Sequence, residues 1–173
     1  MSVLGASYWR SSGKNNETEI IMNKIEHIWT VPCLSSVTDQ ETNTISLQNV
    51  LEQLNFEYEI PNTIDKKPAQ ISIPINMELV TLWMKSITES DITADVATRF
   101  IDPQGQELMQ FEHTLTIPNT HQRMRFRVKI KGLQITTNGT YVFEIKIKEP
   151  GLSEYRVAGS VPLLITATEK KRA

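Results

Sequence analysis

Apolar and polar residues alternate along most of this chain with the period of two that is typical of β-strands. The alternation is clearest in residues 92–101, 109–117 and 141–147, where nearly every second residue is apolar. Between the first two lies Asp-Pro-Gln-Gly, residues 102–105, with each residue where a turn favours it. No long segment has helical spacing. The pattern predicts about eight short strands in an all-β fold, an antiparallel β-sandwich of immunoglobulin-like or related Greek-key topology.

Two segments are less regular than the rest. In residues 45–60, a part with helical spacing (47–54) runs into a part that alternates (56–60). We interpret this segment as a strand with a bulge near Asn49-Val50, and the alternative is a short helix that leads into a strand. Residues 71–75 also alternate, but Pro74 cannot donate a ladder hydrogen bond, so this piece belongs at an edge or a bulge.

The 173 residues have the size of one ordinary domain, long enough to bury a core without disulfides. We expect a flexible lead-in over 1–19, a single β-sandwich domain over 20–168 and a polar tail over 169–173. Cys33 is the only cysteine, so an intramolecular disulfide is excluded. No secretory signal pattern and no apolar run of about 18 residues occurs. We therefore expect a cytoplasmic protein without a membrane partner.

Several motifs resemble known β-sandwich features. Gly139-Thr-Tyr141 at the head of a strand resembles the tyrosine corner of immunoglobulin-like sandwiches, although the cysteine pair of antibody domains is absent. The stretch 29–52, WTVPCLSSVTDQETNTISLQNVLE, resembles the opening of an uncharacterised family of small bacterial and archaeal all-β proteins. The turn at 102–105, the Gly-x-Tyr strand and VPLL at 161–164 fit the same family. The resemblance covers about residues 25–167 and implies a single-domain sandwich. It implies no activity, so no residue inherits a catalytic role.

Candidate catalytic residues are few. His27 and His113 lie on the apolar parity of their strands, which is typical of half-buried structural histidines. Cys33 ends an apolar strand, where a free cysteine behaves as a small hydrophobe. No nucleophile, zinc or phosphate-loop motif occurs, and the carboxylates are scattered, so we expect no metal, no cofactor and no enzyme. The alternative from the enzyme class is a small-molecule hydrolase or ligand-processing enzyme at a loop end, near His27 and Asp39.

The strongest signal for a function is a row of five cations on one parity of a strand. Between them stand apolar residues, so one face of the strand would carry only positive charge. The row, which spans about 27 Å at roughly 6.8 Å per pair of residues, consists of Arg123, Arg125, Arg127, Lys129 and Lys131. Because the net charge is −2, any attraction to anions must be local.

Two interpretations of the cationic row compete. Charged side chains on a strand are a common defence against edge-to-edge aggregation, which favours a solvated face. The alternative is a site for an anionic partner. If the preceding and following strands are neighbours, Glu112 and Glu144 supply acids, but Lys146 and Lys148 keep the balance positive. The row lacks the exposed aromatic residues that stack bases, so nucleic acid is not favoured here.

Trp83 is a second candidate for a partner surface. Both parities around it are apolar, so its strand is either covered on both faces or exposes an apolar patch. An exposed Trp83 would suit a docking face or a homodimer. The sequence as a whole favours a non-catalytic binding or structural module with a protein partner. The alternative within that class is an acidic protein or nucleic acid held by the cationic row.

Overall fold

The computed structural model describes residues 24–59, 70–86 and 89–170, so the expected lead-in over 1–19 lies outside the described residues. In these ranges the chain forms nine strands, and none of it is a helix that could cross a membrane. The strands are β1 (Ile25–Thr38), β2 (Ile45–Val50), β3 (Gln53–Tyr58), β4 (Ile71–Lys85), β5 (Ile92–Ile101), β6 (Glu107–Ile117), β7 (Arg123–Ile135), β8 (Gly139–Lys148) and β9 (Arg156–Glu169).

The strands form two sheets that pack face to face. The four-stranded sheet has the order β2-β1-β4-β7, and the five-stranded sheet has the order β3-β9-β8-β5-β6. Every pair is antiparallel except β3 with β9, which is parallel. Met77 and Leu79 of β4 meet Phe100, Tyr141 and Phe143 of the opposite sheet in one buried cluster. The expected β-sandwich is therefore confirmed, with nine strands rather than eight among the residues described.

The segment 45–60 is not one strand with a bulge. Asn49 adopts a positive φ of 52°, and after Val50 the chain leaves β2 and continues as β3 in the other sheet. Asn tolerates this left-handed conformation better than most residues. The predicted irregularity near Asn49-Val50 is thus real, but it moves the chain between sheets. The short helix considered as the alternative is also absent, since both pieces are strands.

Pro74 lies at a bulge, as predicted. The pairing of β4 with β7 shifts its register between Ile73 and Asn76. The partner on the other side, β1, pairs with β4 only from Glu78 onward. The missing N–H of Pro74 therefore costs no ladder hydrogen bond.

Trp83 lies in the core and offers no surface to a partner. It is 0% exposed and packs with Ile25, Ile92 and Leu115 between the sheets. Its indole Nε1 donates a 3.0 Å hydrogen bond to the Thr81 hydroxyl. The interpretation of Trp83 as a partner face is therefore wrong. Both parities of β4 are apolar because each has an apolar environment. One face of this inner strand packs into the core, and the other lies beside the cationic row, where Val80 and Leu82 pair with Arg127 and Arg125.

Tyr141 forms the expected tyrosine corner at the start of β8. Its hydroxyl donates to the Thr137 carbonyl at 2.7 Å and accepts from the backbone N–H groups of Thr136 and Thr137 at 2.9 and 3.1 Å. The Thr136 hydroxyl donates to Asp102 Oδ2 at 2.8 Å, and Asp102 Oδ1 accepts two backbone N–H groups of its own turn. The buried Tyr141 hydroxyl thus holds the β7–β8 connection, and the Thr136 hydroxyl joins that connection to the turn at 102–105.

Replacing Tyr141 by Phe tests this corner. The aromatic ring still fills the core, but two N–H groups and one carbonyl lose their partner, so we expect a loss of about 1–3 kcal/mol in the free energy of unfolding. Urea denaturation measures it. Tyr155→Phe is the matched control, because that ring contacts Lys148 while no hydrogen bond of its hydroxyl is found in the described structure. Equal losses in the two variants would contradict the role of the corner.

His27 fixes how closely β1 and β9 approach. Its ring lies edge-on against Trp83 with centroids 5.0 Å apart, and Nε2 lies 2.7 Å from the Thr30 hydroxyl. The other side of the ring meets Gly159, where an added Cβ would lie 2.6 Å from two ring atoms. A side chain at this position of β9 therefore requires the His27 ring to shift.

A double-mutant cycle tests this contact. Gly159→Ala should cost about 1–3 kcal/mol in the free energy of unfolding, because the new methyl group overpacks the His27 ring. In a His27→Ala background the same change should cost much less, since the clashing ring is gone. Denaturation of the four proteins measures the coupling. An identical cost in both backgrounds would show that the ring does not restrict Gly159.

Candidate anion-binding cleft on the four-stranded sheet

A β-bulge in β1 decides which side chains reach the outer face of the four-stranded sheet. His27 pairs with Trp83 and points into the core, but the register shifts before Trp29, which pairs with Leu82. The extra residue is Ile28, which is 40% exposed. Because one inserted residue reverses the alternation, Trp29 points outward although it shares the parity of His27. Alternation alone places both residues on one face, so sequence reasoning missed Trp29.

The outward side chains line up in rows across three strands. Trp29 pairs with Leu82, which pairs with Arg125. The neighbouring row runs from Val31 through Val80 to Arg127. Directly paired residues of antiparallel strands point to the same side, so each arginine faces the apolar side chains of β4 and β1. By the same pairing, all five cations of the row lie on the outer face of β7.

Few acids oppose the cationic row. β7 is an edge strand whose neighbour is β4, whereas β6 and β8 belong to the other sheet. The assumption that Glu112 and Glu144 lie on adjacent strands is therefore wrong. The carboxylates in the same cross-strand rows are Glu78, opposite Lys129, and Glu26, in the row of Arg123. Over the described ranges, no carboxylate lies within 4.0 Å of any nitrogen of the five cations.

Two of the arginines are held by neutral oxygen atoms. Arg125 Nη2 donates to the Asn43 carbonyl at 2.5 Å and also to Asn43 Oδ1. Arg127 Nη1 donates to the carbonyl and the hydroxyl of Ser36, both at 3.3 Å. The Ser36 hydroxyl in turn donates to Glu78 Oε2 at 2.5 Å. These contacts orient the guanidinium groups without neutralising them, and each keeps unused N–H donors.

The same contacts build the wall of a cleft. Beyond Cys33 the pairing of β1 with β4 ends, and the β1–β2 hairpin lies over the outer face, held by the two arginines. Between the hairpin and β7 is a cleft of about 650 Å³, a size typical of ligand sites. Its lining residues are Trp29, Thr38, Asn43, Ile45, Leu82, His121, Arg123, Met124, Arg125, Phe126 and Arg127. The cleft thus combines an apolar floor with a cationic wall.

Lys85 positions the turn at one end of this cleft. Its side chain is fully buried, and Nζ donates to the carbonyls of Pro118 and Ser90 at 2.6 and 3.0 Å. The Lys85 N–H bonds the Gln122 carbonyl, and the Asn119 N–H bonds an oxygen of Asp91. The turn that carries His121 into β7 is therefore anchored to the interior. Sequence reasoning did not single out Lys85, because the sequence alone does not distinguish a buried lysine from one on the surface.

The residues considered for catalysis are not brought together. His27 packs against Trp83 in the core, whereas Asp39 lies exposed at the turn between β1 and β2. Asp39 Oδ1 accepts the N–H groups of Glu41 and Thr42, which is turn chemistry. Burial, with a smaller effect of Glu78, raises the pKa of the Cys33 thiol and keeps it neutral. No hydrogen bond joins His27 to Asp39 in the described ranges, which also hold no metal-binding group of three ligands.

His113 stacks on Phe126 behind the cleft, with centroids 3.8 Å apart and planes 4° apart. Its Nε2 is buried and, in the part of the chain that the structure describes, has no hydrogen-bond partner. Burial lowers the pKa of His113. Burial also lowers the pKa of His27, against hydrogen bonds of the Trp29 and Ala158 backbone that raise it. Both groups act as neutral packing residues in the folded protein.

These lowered pKa values make stability depend on pH. An unfolded histidine binds a proton near its usual pKa of about 6.5, above the folded value, so stability is present above that pH and falls as the pH decreases through it. His113→Phe keeps the stacked ring and removes one such group. We expect the free energy of unfolding to fall less between about pH 8 and pH 5.5 in the variant than in the wild type. The same pH dependence in both proteins would contradict this account of His113.

Comparisons with known proteins add a family and a partial structural likeness. Residues 62–158 match the model of a family described as a family of unknown function (DUF6941). The expected membership of an uncharacterised family is thus confirmed, although the opening motif at 29–52 lies outside the matched residues. The chain matches no curated protein. Among solved structures it is similar to the crystal structure of the C-terminal domain of wzt, with 12% identity and a TM-score of 0.36. That match covers 54% of this chain and 60% of the wzt chain.

Proposed function

The chain belongs to this family of unknown function, and from the charge and shape of its outer face we propose that it is a non-catalytic binding module for an anionic partner. The binding site is the cationic row of β7 together with the cleft beside it. One observation carries the proposal: the five cations share one face, and no carboxylate of the described chain pairs with them. A partner with several negative charges would supply the missing neutralisation.

The cations of the opposite sheet make this observation more specific. Arg99 pairs with Glu144 and Glu107, Lys146 pairs with Glu144, and Lys148 pairs with Asp95. Among the described residues, the cations on one outer face thus form ion pairs, whereas the five cations on the other form none within 4.0 Å. A general solubility role would not require that difference between the two faces.

The competing interpretation, a solvated face that protects an edge, explains part of the arrangement. β7 is indeed an edge strand, and charged side chains discourage pairing there. Edge protection, however, does not require arginines that reach toward the hairpin. Arg125 and Arg127 do so and help to wall a cleft, which favours binding.

None of His27, His113 and Cys33 lines the cleft, which supports a binding module rather than an enzyme. An acidic protein and a nucleic acid both fit the proposed class of partner. The cytoplasmic location expected from the sequence would give the surface access to both. A protein partner of another kind, or a homodimer, has no comparable observation in its favour.

Charge removal tests the proposal. Arg123→Gln/Lys129→Gln/Lys131→Gln takes three charges from the row at residues for which no side-chain hydrogen bond is found in the described structure. Two labelled polyanions, polyglutamate and a single-stranded oligonucleotide, serve as probes in fluorescence anisotropy at about 50 and 200 mM salt. We expect the wild type to bind at least one of them in a salt-sensitive way, and the variant to bind it about ten-fold more weakly or worse at low salt.

The matched control removes the same charge elsewhere. Lys24→Gln/Lys146→Gln/Lys170→Gln changes three cations outside the row and should keep most of the affinity. Equal weakening in both triple variants would mean that only net charge matters. That result, or a failure of both polyanions to bind the wild type at low salt, would overturn the proposed function.

A further inference from the structure

In the cleft, the aromatic side chain of Trp29 lies close to the cationic row. Trp29, Leu82 and Arg125 lie in one cross-strand row, so the indole is separated from the guanidinium by a single leucine. The Trp29 side chain is only partly buried, and it lines the cleft of about 650 Å³. A ligand in this cleft would meet an apolar aromatic surface and positive charge together.

The positive charge continues beyond the cleft. Arg123, Arg125 and Arg127 line it, whereas Lys129 and Lys131 extend the row along the same face. Alternate residues of a strand lie about 6.8 Å apart, so the backbone positions of the row span about 27 Å. A small anion would use only the cleft, whereas a linear polymer with regularly spaced negative charges would use the whole row.

Two kinds of linear polyanion could follow this row, an acidic peptide and a nucleic acid. An acidic peptide needs only the cations, because an apolar floor offers nothing to a carboxylate. A nucleic acid carries a flat base beside each phosphate, and bases stack on aromatic side chains. The bases of a duplex are already stacked on each other and would not reach a recessed indole, so the floor favours a single strand.

We propose that the cleft and the cationic row bind single-stranded nucleic acid, with a base stacked on Trp29 and the phosphates along β7. This inference rests on the proposed function and names the partner of the same site. Arg123, Arg125 and Arg127 contact the phosphates next to the stacked base. Lys129 and Lys131 contact phosphates further along the strand. Stacking on Trp29 and contacts to phosphates do not distinguish one base from another, so we expect binding to depend weakly on base sequence.

An abasic ligand separates stacking from charge. The full 173-residue chain is titrated with a labelled thymidine oligonucleotide of about 12 nucleotides, with its abasic counterpart and with polyglutamate. The abasic strand has the same phosphates and no bases. We expect the thymidine strand to bind about 5-fold or more tightly than the abasic strand, as one stacked base provides. Polyglutamate should bind more weakly than the thymidine strand.

Substitutions then assign the difference to Trp29. Trp29→Ala should remove the preference for thymidine over the abasic strand and leave the salt dependence unchanged, whereas Trp29→Phe should retain part of the preference. Arg123→Gln/Lys129→Gln/Lys131→Gln should instead lower the slope of log affinity against log salt by about 2, since each phosphate contact contributes about 0.7. If Trp29→Ala proves unfolded, the abasic comparison on the wild type and Trp29→Phe still decide.

The outcomes distinguish the two proposals. Equal binding of the thymidine and abasic strands, both weakened by the row variant, would overturn stacking and leave the anion-binding function standing. Tighter binding of polyglutamate would likewise overturn the nucleic-acid inference and support an acidic protein as the partner. Absence of binding to all three ligands at low salt would overturn both proposals.

Discussion

The β-bulge between His27 and Trp29 is the constraint on which both faces of the four-stranded sheet depend. A strand without it would keep His27 and Trp29 on one side. With it, the first part of β1 gives Ile25 and His27 to the core, where His27 packs between Trp83 and Gly159. The next part gives Trp29 to the outer face, beside Leu82 and in line with Arg125. Because Ile28 is inserted, His27 completes the core at one end, and Trp29 forms the aromatic floor of the cleft.

Local patterns in the sequence were sufficient for much of the fold. Alternation predicted β5, β6 and β8, the turn at 102–105 followed from its residue order, and Gly-x-Tyr predicted the corner of Tyr141. The five cations on alternate residues of β7 were also evident. Each of these features depends on residues that are close together in the chain, so the sequence alone carries them.

Other features depend on contacts between distant residues and were not predictable in this way. The bulge in β1 is defined by its pairing with β4, so alternation along the sequence does not reveal that Trp29 lies on the outer face. The position of β7 beside β4, rather than beside β6, follows from the sheet order. Trp83 was ambiguous because the outer face of β4 is also apolar. Val80 on that face is 0% exposed, since the hairpin and the arginine stems lie over it.

On the outer face of the four-stranded sheet, hydrophobic contacts of the arginine stems stabilise the fold, whereas repulsion between the charged groups destabilises it. The stems of Arg125 and Arg127 face Leu82 and Val80, which favours their place on this sheet. Their charged groups stand beside further cations without carboxylate partners, and like charges on neighbouring positions destabilise a fold. An anionic partner would relieve this repulsion.

A titration of isotope-labelled protein with single-stranded oligonucleotide, followed by amide and indole NMR shifts, tests this account most directly. It predicts shifts of the Trp29 indole and of the β7 amides from Arg123 to Lys131. Shifts centred on Lys146 and Lys148, or none at low salt, would contradict it.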